Sequence, residues 1–170
     1  PAWRESVAAM SVKLHPYQVE GILFAAKKRR VFIGDDMGLG KTVEAIGAAL
    51  FLRALGPVRR TLIICPASLK QQWKREIEKV SSADVSIIAG PARERERLYG
   101  GARTFFLILN YELLYRDLKQ IAGLKADLVI LDEAQRIKNW ETKIAQAIRK
   151  LDSPCRFVLT GTPLENRLAE

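Results

Sequence analysis

The chain has 170 residues, 48% of them hydrophobic, which is enough for one domain with a buried core and too little for two complete domains. Its 28 basic and 19 acidic residues give a net charge of +9, which suits a polyanionic partner. No apolar run reaches the about eighteen residues of a membrane span, and no basic-then-apolar leader opens the chain. The sequence therefore predicts neither a membrane protein nor a secretory signal.

Metal and disulfide chemistry are limited by the few suitable side chains. The chain has two cysteines, Cys65 and Cys155, each beside a predicted strand, and a single histidine, His15. Without a CxxC pair there are too few ligands for a zinc site. Two reduced core thiols in a cytosol-like compartment are the simplest interpretation.

Six short apolar runs alternate with longer amphipathic segments along the chain. The runs are β-branched or aromatic and nearly continuous, which is typical of strands buried on both faces. In chain order they are VFIG (31–34), TLIIC (61–65), VSIIA (85–89), FFLILN (105–110), DLVILD (127–132) and RFVLTG (156–161). Their alternation with helices predicts the α/β class, with a mainly parallel, doubly wound sheet flanked by helices. Ligands of such sheets lie beyond the carboxyl ends of the strands.

The segments between the runs carry helical periodicity. In SLKQQWKREIEKV (68–80) apolar residues recur along one stripe, and Ser68 with Gln71 predicts a capping box at its start. That stripe consists of Leu69, Trp73, Ile77 and Val80. ETKIAQAIRKL (141–151) repeats the pattern, whereas GPARERERLYGGAR (90–103) predicts a solvated helix between turns.

The first predicted strand leads into GDDMGLGKT (34–42) and then a helix, which is the context that a phosphate loop requires. Glycines let successive backbone N–H groups converge on phosphates, and the helix N-terminus adds its dipole. Lys41 would reach the β- and γ-phosphates, and the Thr42 hydroxyl would hold Mg²⁺. The strict pattern has glycine where this chain has Asp35, so an ordinary glycine-rich turn is the alternative.

An acidic pair follows the fifth predicted strand, in LDEAQ (131–135). Asp132 closes an apolar run, where a further Mg²⁺ contact belongs, and Glu133 is placed to take a proton from an attacking water. A polar exit from a strand is the alternative. Together with the phosphate loop in the same predicted sheet, the pair indicates a nucleotide site.

Six motifs in order identify a family. From about Leu14 to its last residue the chain resembles the first RecA-like domain of superfamily 2 helicase-type ATPases, specifically of the SWI/SNF-type DNA translocases. The motifs are LHPYQVEGI (Q motif), DDMGLGKT (motif I), ICPASLKQQWKREI (motif Ia), LNYELL (motif Ib), DEAQRIKN (motif II) and LTGTPLENRLAE (motif III). An acidic start to motif I is similar to the form that this subgroup uses, which accounts for Asp35 and Asp36 by resemblance and leaves their individual roles open.

The resemblance implies a RecA-like P-loop NTPase that uses ATP and Mg²⁺. It implies Lys41, Asp132 and Glu133 as catalytic residues, with Thr42 and Asp132 on the metal. The residues implied for nucleotide binding, with the first of them reading adenine, are Gln18, Asp36, Met37, Gly38, Leu39, Gly40, Lys41 and Thr42. Those implied for coupling nucleotide state to DNA are Gln135, Thr160, Gly161 and Thr162. Gln135 stands where the family usually has histidine, so hydrolysis is expected to survive while its link to movement can differ in strength.

The resemblance also implies sequence-nonspecific contacts to double-stranded DNA. Motifs Ia and Ib and the turn after motif II lie along the nucleic-acid face of relatives. The residues nominated in this way are Ser68, Lys70, Gln72, Asn110, Tyr111 and Lys138, together with Arg136 and Asn139. Lys, Ser and Asn side chains and backbone N–H groups there would bind phosphate oxygens, so binding is expected to weaken steeply with salt. A solvated surface side chain is the alternative at each position.

The predicted organisation is an N-terminal extension, residues 1–13, followed by the first RecA-like ATP-binding domain, residues 14–170. The chain begins without Met and stops within a helix announced by TPLE (162–165), so we expect a piece of a longer protein. The resemblance implies a second RecA-like domain with an arginine finger beyond that point. Because such a finger contributes about a thousandfold or more to turnover, the piece alone is expected to bind ATP weakly and hydrolyse it slowly.

The predicted function is therefore the ATP-binding lobe of a SWI/SNF-type translocase that pulls on duplex DNA to shift bound proteins. The alternatives are a strand-separating DNA or RNA helicase of superfamily 2 and a non-catalytic lobe that grips DNA or a partner protein. Intact Lys41, Thr42, Asp132 and Glu133 argue against a degenerate lobe. The predicted location is the cytoplasm or nucleoid of a prokaryotic cell, which Gln135 favours by resemblance, or the nucleus of a eukaryotic one.

Overall fold

The structure is a computed structural model, and it describes residues 4–5, 8–34, 40–101, 103–137 and 142–161. Within this part of the chain, strands and helices alternate as predicted. The strands are β1 Arg30–Gly34, β2 Thr61–Cys65, β3 Val85–Ile87, β4 Phe106–Asn110, β5 Leu128–Leu131 and β6 Cys155–Thr160. The helices are α1 Pro16–Lys28, α2 Lys41–Leu55, α3 Lys70–Val80, α4 Ala92–Gly100, α5 Tyr111–Arg116, α6 Leu118–Gly123 and α7 Lys143–Arg149, with 3₁₀ turns at Ala67–Leu69 and Ala134–Arg136.

The six strands form one sheet in the order β1-β6-β5-β2-β4-β3, and every neighbouring pair is parallel. The predicted parallel, doubly wound α/β architecture is confirmed. All six apolar runs are strands, although β3 is shorter than its run of 85–89. It lies at the edge of the sheet, where a strand has a partner on one side only. The carboxyl ends of β1, β2, β5 and β6 therefore meet along one edge.

Helices cover both faces of the sheet and produce two apolar cores. On β2, Ile63 packs into a core shared with α1, α2 and α3, whereas Leu62 and Ile64 face a core shared with α5, α6 and α7. All five residues of this strand are buried, which explains its uninterrupted apolar sequence. Each fully buried side chain of this size stabilises the fold by roughly 1.5–3 kcal/mol.

Helix α3 begins differently from the prediction. The Ser68–Gln71 capping box is wrong, because Ala67–Leu69 form a 3₁₀ turn and α3 starts at Lys70 without a side-chain cap. The Leu69 N–H donates to the Pro66 carbonyl at 2.9 Å, so the turn closes on the backbone itself. The apolar stripe is confirmed, with Trp73, Ile77 and Val80 all buried.

The charge-rich helix α4 is mostly exposed, as predicted, but it also carries a buried polar network. The Arg95 guanidinium donates to both carboxylate oxygens of Asp117, at 2.7 and 2.9 Å, and the Tyr99 hydroxyl donates to the same carboxylate at 2.8 Å. Asp117 lies between α5 and α6, so this network ties α4 to the next helices. Burial alone would raise the pKa of Asp117, but the donors from Arg95 and Tyr99 lower it overall.

The two cysteines are free and buried, as predicted. Burial raises the pKa of the Cys65 thiol to about 12 and also raises that of Cys155. Among the described residues, no helix has the length and apolarity to cross a membrane. In the same part of the chain, no group of three or more His, Cys, Asp or Glu side chains is arranged to hold a metal ion by itself.

Candidate functional site

A cavity of about 350 Å³ opens at the carboxyl edge of the sheet. Four separate chain segments surround it: the start of α2, the start of α3, the exit of β5 and the exit of β6. The residues that line it are Lys41, Thr42, Leu69, Gln72, Trp73, Asp132, Glu133 and Gly161. The structure thus brings the basic and acidic residues predicted for a nucleotide site to one place, although 91 positions separate Lys41 from Asp132.

Lys41 faces the end of β6. Its Nζ donates to the carbonyl oxygen of Thr160 at 2.9 Å. A Cβ atom placed on Gly161 would lie 3.7 Å from that Nζ and 3.5 Å from Oε1 of Glu133. The glycine therefore leaves a narrow gap between the ammonium group and the acid, into which a larger side chain would project.

The position directly before α2 requires glycine. Gly40 has φ of 91°, in the left-handed region, and a Cβ atom there would lie 2.8 Å from Nε2 of Gln18. Gln18 is itself fixed, because its Oε1 accepts a hydrogen bond from the backbone N–H of His15 at 2.9 Å. The residue predicted to read adenine is thus packed against the predicted phosphate loop.

Several predicted site residues lie outside the described residues. They are Asp36, Met37, Gly38 and Leu39 of the loop, with Asp35 beside them, as well as Lys138, Asn139 and Thr162. Their predicted roles stay predictions.

Asp132 is held by hydrogen bonds at each of its polar atoms. Its backbone N–H donates to Ile64 and its backbone carbonyl accepts from the Tyr111 hydroxyl, at 2.8 and 2.7 Å. Its Oδ1 accepts from the Glu133 N–H and its Oδ2 from the indole N–H of Trp73, both at 2.8 Å. Burial raises the pKa of Asp132 even though the Trp73 and Glu133 donors and the charge of Lys41 lower it, so the cations among the described residues do not compensate this carboxylate fully.

The donor set around Asp132 suits a hard divalent cation. Asp132 and Thr42 line the same cavity, and each carries a side-chain oxygen that can be a ligand. Mg²⁺ in nucleotide sites commonly takes one or two protein oxygens and completes its shell with phosphates and water. A cation beside Asp132 would also supply the charge that its burial calls for. The residues present therefore fit Mg²⁺.

Glu133 adopts an uncommon backbone conformation. Its φ of 53° and ψ of 40° are left-handed, which costs about 1 kcal/mol or more in a residue with a Cβ atom. The conformation turns the chain into the following 3₁₀ turn. From that turn Gln135 Nε2 donates to Glu133 Oε2 at 2.6 Å, and Arg136 Nε lies 3.5 Å from the same oxygen. The carboxylate is held at the cavity by these two side chains.

The nominated DNA contacts fall into different environments. Ser68 is exposed on the 3₁₀ turn, and Gln72 is exposed but lines the cavity. Lys70 Nζ donates to Asn110 Oδ1 at 3.2 Å and to the Ile88 carbonyl at 3.4 Å, and Asn110 Nδ2 donates to Glu112 at 2.6 Å. The hydrogen bond between Lys70 and Asn110 thus connects α3 to the end of β4.

Tyr111, nominated with motif Ib as a DNA contact, has a buried side chain. Tyr111 is only 6% exposed, and its hydroxyl hydrogen is given to the backbone of Asp132. Burial also raises the pKa of this phenol, so it stays a neutral donor. The residue supports the acidic pair from below and has no hydroxyl hydrogen left for a phosphate.

Trp73 is the site residue that the sequence pattern did not reveal. It was interpreted only as part of the apolar stripe of α3, and it is indeed 2% exposed. A tryptophan in an otherwise aliphatic stripe nevertheless carries one N–H that needs an acceptor when buried. That property was a signal for a nearby polar partner, but nothing local to α3 identified Asp132.

Comparison with known proteins matches this geometry to a family. The model of the SNF2-related domain matches residues 17–170. The ISWI chromatin-remodeling complex ATPase ISW1 of Saccharomyces cerevisiae is 34% identical over 99% of this chain and 16% of its own length. The human DNA repair and recombination protein RAD54B is 35% identical over 92% of this chain and 19% of its own.

A solved structure supports the same relationship. The Sulfolobus solfataricus SWI2/SNF2 ATPase core, in complex with double-stranded DNA, is similar with a TM-score of 0.85 and 29% identity. The match covers 94% of this chain and 34% of that one. This chain spans less than a fifth of the length of the two curated relatives named above.

Proposed function

Because the chain belongs to the SNF2-related domain family, we propose that it is the ATP-binding N-terminal lobe of a SWI/SNF-type translocase on double-stranded DNA. The observation that carries the proposal is the meeting of Lys41, Asp132 and Glu133 at one cavity on the carboxyl edge of the sheet. Opposite charges converge there on a space that neither fills. A triphosphate with its magnesium ion supplies the complementary charges.

The chain's own residues divide the work of binding between the two sides of the cavity. Lys41 would bind the β- and γ-phosphates, while Thr42 and Asp132 would hold Mg²⁺. When bound, the ion neutralises phosphate charge and orients the transferring group. Gln18, which packs against Gly40, is the residue proposed to hold the adenine.

Glu133 is the proposed base for the attacking water. Its carboxylate faces Gly161, and the donors from Gln135 and Arg136 keep it in that position. A carboxylate needs to be within hydrogen-bond reach of the water whose proton it takes. Its left-handed backbone is consistent with strain kept at a functional position.

Lys41 offers a route from nucleotide state to the end of β6. In this structure its ammonium group donates to the Thr160 carbonyl. A bound phosphate would compete for the same hydrogens, and Thr160 and Gly161 belong to the segment proposed to report nucleotide state. Gln135 joins this segment to Glu133, because its Nε2 would lie 3.8 Å from a Cβ atom on Gly161.

The proposed partners are duplex DNA and a second RecA-like domain. Ser68 and the start of α3 are proposed to contact DNA phosphates, without reading sequence. The curated relatives are several times longer than this chain, and the arginine finger that the family resemblance implies would come from a second domain. We therefore propose that the 170 residues alone bind ATP weakly and turn it over slowly, and that the full-length protein shifts proteins along DNA in the cytoplasm or nucleoid.

Nucleotide binding by the chain itself tests the proposal. Thermal unfolding with and without Mg·ATP should show stabilisation by the nucleotide, and Lys41→Ala should abolish it. Lys74→Ala is the matched control, because this lysine is also on a helix but lies outside the cavity and pairs with the exposed Glu78. No stabilisation of the wild type at millimolar Mg·ATP would contradict the proposed nucleotide site.

Movement on DNA is tested in the full-length protein. A translocase on duplex DNA should displace a triplex-forming third strand in an ATP-dependent reaction without separating the two duplex strands. Strand separation from a forked duplex would instead support the helicase alternative. DNA binding without any ATP turnover would support the non-catalytic lobe.

A further inference from the structure

We propose that Trp73 is a positioning residue for the metal-binding carboxylate of Asp132. The inference deepens the proposed function and rests on it, because it assigns a role toward the magnesium ion of the same site. The observation behind it is the hydrogen bond of 2.8 Å from the indole N–H of Trp73 to Oδ2 of Asp132, which joins residues 59 positions apart.

Within the described part of the chain, this bond is the one polar contact of the indole. Trp73 has one polar atom, a donor, and the side chain is 2% exposed. If Asp132 rotated away, the N–H would be left buried without an acceptor. The cost of an unpaired indole N–H therefore keeps the Asp132 carboxylate in one preferred orientation.

Trp73 is anchored by the core on its other side. It lies on the apolar stripe of α3 with Ile77 and Val80, which are 0% and 1% exposed, and all three belong to the core between α3 and the sheet. A side chain packed in this way changes its direction only if the helix itself moves. The indole therefore acts as a fixed reference point for Asp132.

The arrangement leaves room for a metal ion. Each carboxylate oxygen of Asp132 accepts one hydrogen bond, from Trp73 or from the Glu133 N–H, and keeps further lone-pair capacity. Outer-shell donors of this kind orient a ligand before the ion arrives, and their loss typically weakens metal affinity by about 10–100-fold. The same reasoning predicts that nucleotide affinity without metal is independent of the Trp73 N–H.

The position of Trp73 has a consequence for DNA. Its helix α3 begins directly after the 3₁₀ turn that carries Ser68, a proposed phosphate contact. A displacement of α3 by bound DNA would move the indole and, through it, Asp132. The hydrogen bond thus provides a direct physical connection between the proposed DNA face and the metal ligand.

The first test measures metal dependence at equilibrium, without turnover. A fluorescent ADP analogue is titrated into the chain at a series of Mg²⁺ concentrations and again in EDTA. Trp73→Phe should raise the Mg²⁺ concentration for half-maximal binding about 10–100-fold and leave the affinity in EDTA within about twofold of wild type. Ile77→Val is the matched control, because it removes buried volume from the same stripe and no hydrogen bond; its Mg²⁺ requirement should equal that of the wild type.

A second variant separates the N–H from the shape of the ring. Replacing Trp73 by 3-benzothienylalanine exchanges the N–H for sulfur and keeps the bicyclic ring. Because this ring fills the same volume in the core, the variant can be used if Trp73→Phe proves unstable. The same rise in Mg²⁺ requirement is expected. In ¹⁵N spectra of the wild type, the Trp73 indole resonance should shift when Mg²⁺ is added to the ADP complex.

The outcomes distinguish this inference from the proposed function. A Mg²⁺ requirement within about twofold of wild type in both position-73 variants would overturn the positioning role and leave the nucleotide site intact. An equal rise in Ile77→Val would also overturn it, by showing an effect of core packing alone. Failure of the wild type to bind Mg·ADP at all would overturn the proposed function itself, and the inference with it.

Discussion

Two aspartates of this molecule, the buried Asp117 and the half-buried Asp132, have opposite electrostatic surroundings. Asp117 receives two hydrogen bonds from the Arg95 guanidinium and one from Tyr99, and these donors lower its pKa. Asp132 is held by the neutral N–H groups of Trp73 and Glu133, and its burial raises its pKa. The fold thus supplies a paired cation where a carboxylate serves the structure, and fixes geometry without full charge compensation where a ligand is proposed to bring the cation.

The largest expected effect separates the two aspartates by function. In the full-length protein, Asp132→Asn should lower Mg·ATP turnover about a thousandfold, or ~4 kcal/mol in activation free energy, because the metal loses its anionic ligand. Its free energy of unfolding should fall by less than that of Asp117→Asn, because the amide loses one of the two acceptor oxygens but also removes a carboxylate charge that no arginine pairs. Asp117→Asn should leave turnover unchanged and lower the free energy of unfolding. Steady-state turnover and urea unfolding measure both, and equal destabilisation by the two substitutions would break the comparison.

The next largest effect removes the cation from the structural pair. Arg95→Ala leaves the buried Asp117 with Tyr99 as its remaining side-chain donor. The expected loss is about 2–4 kcal/mol in the free energy of unfolding, because an ionised group without its partner is costly inside a protein. Urea unfolding of Arg93→Ala, an exposed arginine of the same helix, is the control and should differ from wild type by about 0.5 kcal/mol or less.

Acid sharpens the same comparison by titrating the pair. A carboxyl whose pKa is lowered on folding contributes stability that is present above its unfolded pKa and is lost as pH falls through the folded pKa. Because the pKa of Asp117 is lowered, its contribution should be complete at pH 5 and decline below the ordinary carboxyl range. Urea unfolding should be measured at pH 5 and at a pH below the ordinary carboxyl range. The difference in free energy of unfolding between wild type and Asp117→Asn should be smaller at the lower pH. A difference that stays constant would contradict the lowered pKa.

The smallest expected effect concerns the acid beside Asp132. Gln135→Ala removes the hydrogen bond of 2.6 Å to Glu133 and should reduce turnover about tenfold, close to the ~1.5 kcal/mol of a hydrogen bond to a charged group. Mg·ADP affinity should be unchanged, because Glu133 is proposed to act on water rather than on the nucleotide. Gln71→Ala, on an exposed part of α3, is the control. A loss of nucleotide affinity equal to the loss of turnover would argue against that role.

Local patterns were sufficient to predict most of the fold. Each strand was predicted from a short run of β-branched or aromatic residues. The parallel direction of the strands follows from the helices that connect consecutive strands. The start of α3 was mispredicted because Ser68 has the residue type of a cap, while the backbone closes a 3₁₀ turn there instead. Tyr111 belongs to a motif expected along the DNA face, and the structure adds that its ring is buried. Residue type and motif position do not specify which way a side chain points.

The amino-acid sequence by itself determined the α/β alternation, the glycine directly before Lys41 and the placement of acids directly after β5, because each depends on neighbours within a few residues. Only the tertiary structure decided which side chains donate hydrogen bonds to Asp117 and to Asp132. Trp73 and Asp132 are 59 positions apart, and Arg95 and Asp117 are 22 apart. Such contacts arise from the packing of helices onto a common sheet. The helix face that packs beside a carboxylate therefore determines whether its donor is an arginine or an indole.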